Sequence, residues 1–122
     1  MEQIKQVMQQ MINVSEVELN NFLNQAVTKT FKRQETVSRP NAIPNEIFFI
    51  NKGLIRVLII DNEGTEHTLH FALENQFIAD YANFIQKQPS LYSLQAIEET
   101  QVVVLPRSAI EWGYKNLTEG QK

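Results

Sequence analysis

The sequence predicts a mainly β domain with flanking helices, folded as an antiparallel β-roll or double-stranded β-helix of the jelly-roll type. Two observations lead there. Helical periodicity is confined to the two ends of the chain, and the stretch between them is a series of short β-branched and aromatic runs punctuated by proline, glycine and asparagine. Closing or doubling such a sheet protects its strand edges. With 122 residues, 43% of them hydrophobic, the chain suits one domain with its own core.

The N-terminal helices occupy residues 1–27. Ile4, Val7, Met8 and Met11 recur at helical spacing and form a weak amphipathic face. A second helix begins at Ser15, because Ser15 and Glu18 stand three apart as a capping box requires, with Val14 and Leu19 placed as its hydrophobic staple. Leu19, Phe22, Leu23 and Ala26 are its buried face.

The β-roll is expected over residues 28–106. Its runs are Thr30-Phe31, Thr36-Val37, Ile47 to Ile50, Leu54 to Ile60, Thr65 to Phe71, Leu91 to Ala96 and Gln101 to Leu105. Asp61-Asn62-Glu63-Gly64 is a hairpin turn, since glycine accepts positive φ without steric cost. Between the hairpin and the last strands, Asp80 to Gln86 reads as a short helix that ends before Pro89. Ser108 and Glu111 repeat the capping-box spacing and start a closing helix over 108–117, which stops before Gly120.

Composition excludes several classes of function. There is no cysteine, so disulfides, thiolate nucleophiles and thiolate metal sites are absent. A net charge of −3 is not that of a protein that holds nucleic acid by itself. The N-terminal stretch carries Glu2, Lys5 and a run of amides where a signal peptide needs an apolar core, and no run is long enough to cross a bilayer, so a cytoplasmic protein without membrane attachment is expected. His67 and His70 are three apart on a strand and point to opposite faces unless a bulge intervenes, so no metal site is expected. No Ser/His/Asp set, glycine-rich phosphate loop or close carboxylate pair stands out, so neither catalytic residues nor an enzyme are expected. Arg56, alternating against Ile55, Val57 and Ile59, should point to solvent.

Ile47-Phe48-Phe49-Ile50-Asn51-Lys52-Gly53-Leu54-Ile55-Arg56-Val57, followed by Asp61-x-x-Gly64-x-Glu66, Phe77-Ile78-Ala79-Asp80, Pro89 and Gln95-Ala96, resembles the cyclic-nucleotide-binding sensor domain of Crp/Fnr transcription regulators. The resemblance covers about Ser15 to Tyr114 and implies a cyclic-nucleotide-binding-like fold. In that family a short helix carries a phosphate-binding cassette. Its backbone amides and an arginine meet the phosphate, a glutamate takes the ribose hydroxyl, and a glycine admits the backbone close to the ligand. By position the glycine is Ala79, the glutamate Asp80, the arginine Ser90 and the following hydroxyl residue Leu91. Only the acidic character survives. Family glycines ahead of Phe48 are replaced by Gln34 and Asn41.

The candidate ligand-binding residues are therefore Ala79, Asp80, Tyr81, Ser90, Leu91, Tyr92 and His70. Each has a plainer reading beside it. Asp80 holds a ligand hydroxyl or caps the short helix. Tyr81 and Tyr92 line a pocket or fill the core. His70 borders the pocket or is solvated. The resemblance implies an effector-sensing domain with a small-molecule effector, cyclic nucleotide or other, and no resident cofactor. The degenerate cassette argues against tight cyclic AMP binding. In the family the closing helix grows into a dimer helix that leads to a DNA-binding helix-turn-helix domain; only the start of that helix is expected in this chain, which is expected to be the N-terminal part of a longer homodimeric regulator. A ligand-free dimerisation or interaction module is the alternative.

Overall fold

A computed structural model describes residues 1–117; residues 118–122, including Gly120, where the sequence ends the last helix, lie outside the described residues. The chain runs α1 (Glu2–Met11), α2 (Glu16–Phe22) with a 3₁₀ turn (Leu23–Gln25), β1 (Val27–Phe31), β2 (Thr36–Ser38), β3 (Glu46–Lys52), β4 (Ile55–Ile60), β5 (Glu66–Ala72), β6 (Phe77–Ile78), α3 (Tyr81–Gln86), β7 (Ser93–Ala96), β8 (Thr100–Pro106) and α4 (Arg107–Asn116). The strands form two antiparallel four-stranded sheets, ordered β1-β8-β3-β6 and β2-β7-β4-β5. This is the β-roll with flanking helices that the pattern predicts. Among the described residues no helix is long and apolar enough to cross a membrane.

The molecule has three layers, and β3 explains why. Ile47 and Phe49 face the helices, where they join Ile4, Leu19, Phe22 and Leu105, whereas Phe48 and Ile50 face the second sheet with Ile55, Leu94 and Val104. A strand covered on both faces needs an unbroken apolar run, and Ile47 to Ile50 supplies it. Phe49 and Phe77 meet edge to face with ring centroids 5.0 Å apart.

The Ser15–Glu18 capping box forms in full, with Ser15 Oγ accepting from the Glu18 amide and Glu18 Oε1 accepting from the Ser15 amide, both at 3.1 Å. Gly64 closes the β4–β5 hairpin at φ +84°. Gln34 and Asn41 both adopt left-handed φ of +68°, so the backbone turn is kept without glycine.

Three expectations are corrected, and one strand is added. Ser108 does not cap α4: the helix starts one residue earlier behind Pro106, and Ser108 Oγ donates to Gln25 Oε1 instead. The helix is held at its other end, where the absent side chain of Gly113 lets it lie against the Phe22 ring; a Cβ there would stand 2.7 Å from that ring. Met11 lies outside the core, 65% exposed. The two-residue strand β6 escaped the sequence pattern, being too short to show a period. Arg56 does not point to solvent. Its neighbour on the same face, Leu58, is buried, and the guanidinium donates to Gln95 Oε1 (2.8 Å), Thr68 Oγ1 (2.9 Å) and Glu66 Oε1 (2.7 Å), stapling β4 to β7 and β5.

Candidate functional site

The site forms where α3 leaves β6 and the chain returns through Ser90 to β7. Asp80 is the N-cap of α3, and its Oδ1 accepts from the Asn83 amide at 3.2 Å. Its Oδ2 accepts twice, from Asn83 Nδ2 and from Ser90 Oγ, each at 2.6 Å. Ser90 Oγ in turn accepts from the Tyr92 amide at 3.1 Å. Partial burial pushes the Asp80 carboxyl up, but the hydrogen bonds from the Asn83 side chain, Ser90 and the Asn83 backbone outweigh it and leave the group below its ordinary value. Asp80 is thus an ionised carboxylate fixed in place.

Ser90 is 4% exposed. Its backbone is tied to the loop before β3, donating to Ala42 O at 3.0 Å and accepting from the Asn41 amide at 2.6 Å. The left-handed turn at Asn41 brings that loop against position 90.

Two cavities share a wall made of Ala79, Asp80, Tyr92 and Leu94. The first, about 260 Å³, lies on the Ser90 side and is bounded by Arg39, Glu46 and Phe48. The second, about 410 Å³, lies on the other side and adds Val57, Leu69, His70, Ile78, Tyr81 and Ala82. Of the residues the sequence singles out, Ala79, Asp80, Tyr81, Tyr92 and His70 come together at the second cavity, while Ser90 faces the first. Leu91 joins neither. It is 72% exposed and lines two other clefts beside Ile59. Tyr81 and Tyr92 are exposed cavity walls rather than core, and partial burial raises the Tyr81 phenol above its ordinary value.

The opposite-face argument for His67 and His70 does not hold, because β5 carries a bulge. His70 pairs with Val57 and His67 with Ile59, two residues apart on β4, so the intervening Leu69 is the extra residue and both histidines fall on one face. They still do not act together. His67 Nε2 is bonded to Asp61 Oδ2 at 2.8 Å, which with the Thr65 and Glu63 amides holds the Asp61 carboxyl below its ordinary range, whereas His70 lines the cavity. Among the described residues no group of three or more His, Cys, Asp or Glu could hold a metal.

Sequence reasoning passed over three contributors. Arg39 and Glu46 reach the first cavity through the loop that Asn41 turns. Arg107, the first residue of α4, lays its guanidinium over the Phe84 ring of α3 at 4.0 Å and donates to Pro44 O at 2.6 Å. The nearest signal in the sequence was the replacement of a turn glycine by Asn41, which locates the loop but not its side chains.

Residues 28–116 match the model of the cyclic nucleotide-binding domain family, and the chain belongs to that family. Comparison with curated proteins gives no significant match. Among solved structures, the sensor domain of the transcriptional regulator DNR from Pseudomonas aeruginosa is similar with a TM-score of 0.84 at 18% identity, over 96% of this chain and 80% of that one. A cyclic nucleotide-binding domain from Methylobacillus flagellatus is similar with a TM-score of 0.81 at 16% identity, over 98% and 68%. The Thermus thermophilus catabolite activator protein is similar with a TM-score of 0.68 at 14% identity, over 80% of this chain and 45% of that protein. The chain therefore spans less than half the length of that activator.

Proposed function

We propose that this chain is the effector-sensing part of a Crp/Fnr-type transcription regulator, and that its effector is not a common cyclic nucleotide. The observation that carries the second half is at position 90. Where the resemblance places a phosphate-binding arginine stands a buried serine whose hydroxyl is already donated to Asp80 at 2.6 Å. A cyclic phosphate would meet the ionised Asp80 carboxylate with no guanidinium at position 90, and Arg39, elsewhere on the first cavity wall, shares that wall with Glu46. A charged hydrogen bond contributes about 1.5–3 kcal/mol, so its loss alone lowers affinity roughly 10- to 150-fold.

Support for a sensing role comes from the way the site touches α4. Arg107 connects Phe84 of α3, the Pro44 carbonyl beside the first cavity and the first turn of α4, so a ligand that moves α3 also bears on the closing helix. In the whole regulator that helix would continue into a dimer interface and a DNA-binding helix-turn-helix domain, in the cytoplasm.

The ligand-free interaction module is supported by one feature, the exposed apolar residues Phe71 and Leu73 on the edge strand β5 and just past its end. Thermal denaturation with millimolar cyclic AMP and cyclic GMP tests the main reading. A nucleotide present at about 100 times its dissociation constant would add roughly 2.7 kcal/mol and raise the midpoint by about 10 °C. The expected result is no shift with either nucleotide; a shift of that size would overturn the exclusion of cyclic nucleotides.

A further inference from the structure

We propose that the larger cavity selects a small organic cation, an amine or quaternary ammonium carried on an apolar or aromatic body. The inference rests on reading that cavity as the effector site. Its volume, about 410 Å³, is within the range of about 300–1,000 Å³ typical of small-molecule pockets.

Three features of the wall point to a cation. Asp80 is its one carboxylate, and neither lysine nor arginine lines it. An anion would face that carboxylate with only His70 beside it, and a neutral hydroxyl could donate to it but would leave its charge uncompensated. Tyr81 and Tyr92 flank Asp80 with aromatic surface, which attracts cations through the ring quadrupole. Around them Val57, Leu69, Ile78 and Leu94 make an apolar bed for the body of the ligand.

Asp80 has the capacity to serve. Oδ2 is occupied by the Asn83 side chain and Ser90, but Oδ1 accepts only the Asn83 amide at 3.2 Å, which leaves a lone-pair position open. The hydrogen bonds that keep the carboxyl below its ordinary value keep it charged at neutral pH. The positive end of α3 opposes a cation weakly, since that helix has six residues and Asp80 itself caps it. Arg39 lies at the other cavity, beyond the shared wall and accompanied by Glu46.

Isothermal titration of the chain with 2-phenylethylamine, its neutral counterpart 2-phenylethanol and its anionic counterpart 3-phenylpropanoate tests this, alongside choline against 3,3-dimethylbutanol. 2-Phenylethylamine should bind at least about tenfold tighter than 2-phenylethanol, because its ammonium both donates to the carboxylate and compensates its charge, and choline, which has no N–H to donate, should bind tighter than 3,3-dimethylbutanol through charge and ring attraction alone. Asp80→Asn keeps an N-capping side chain and should abolish the difference. Tyr92→Leu, which leaves the carboxylate in place, should weaken the ammonium probes more than the alcohols. The melting midpoint of each variant, taken in the same series, separates lost selectivity from lost fold. Equal binding of amine and alcohol, or preference for the carboxylate, would overturn cation selectivity and leave the effector reading standing. No binding by any probe would also overturn it, while the proposed function would be decided by the nucleotide melts.

Discussion

Replacing Ser90 by alanine removes a hydroxyl that is used twice, as donor to Asp80 Oδ2 at 2.6 Å and as acceptor from the Tyr92 amide at 3.1 Å. The first bond is charge-assisted and contributes about 1.5–3 kcal/mol; the second is neutral and contributes about 1 kcal/mol. Water reaching the half-buried Asp80 restores part of the loss, so the expected destabilisation is about 2 kcal/mol, or roughly 8 °C in midpoint for a domain of this size. Urea denaturation followed by circular dichroism measures it, with an unchanged m-value as the sign of intact folding. Combined with Asp80→Asn in a double-mutant cycle, the pair should show a coupling of about 1 kcal/mol or more. The deficit also depends on pH. Because the folded Asp80 carboxyl sits below its ordinary value of 3.8, the stability it brings is full above that pH and is lost as pH falls through the folded value. The difference between wild type and Ser90→Ala should therefore narrow below about pH 4. A loss under about 0.5 kcal/mol with no coupling to Asp80 would refute the reasoning, because the hydroxyl would then be free to meet an anion.

Arg56→Ala should cost about 2 kcal/mol by urea denaturation, most of it from the part-buried bond to Gln95, since Glu66 is 51% exposed and is readily rehydrated. A change below about 0.5 kcal/mol would place the guanidinium in solvent, as the strand alternation first suggests. The double substitution Ser90→Arg with Leu91→Ser should raise cyclic AMP affinity by about tenfold or more in a calorimetric titration, because position 90 borders the first cavity and a guanidinium extending into it supplies the missing phosphate partner. Unchanged affinity would show that position 90 does not correspond to the family's arginine.

The fold was legible because its signals are local. The Ser15–Glu18 box, the Asp61–Gly64 turn and the unbroken apolar run of β3 each state their geometry within a few residues. The placement of Ala79, Asp80, Tyr81, Tyr92 and His70 around one cavity was legible only through the family resemblance, since they come from three separated segments. What failed depended on partners distant in sequence. Arg56 looks like a solvent-facing strand residue until Gln95 and Glu66 are brought beside it from neighbouring strands. Ser108 has the spacing of a cap, but Gln25, 83 residues away, takes its hydroxyl. The β5 bulge leaves no mark in a sequence where Thr68, Leu69 and His70 all suit a strand, yet it reverses which face the histidines share.

Position 90 shows how the frame of the site is separated from its chemistry. The loop before β3 is held to it through main-chain groups alone, by the bonds to Asn41 and Ala42, which do not involve the side chain at 90. Asp80 caps α3 through Oδ1, a bond that does not depend on whether Oδ2 faces a serine or a guanidinium. The cleft and the short helix therefore survive a change of side chain that removes a positive charge, and the charge offered to the ligand becomes that of Asp80 alone on the larger cavity. Family membership follows from the frame and predicts where a ligand enters. Its charge is governed by the residues at 80 and 90, and here these favour a cation.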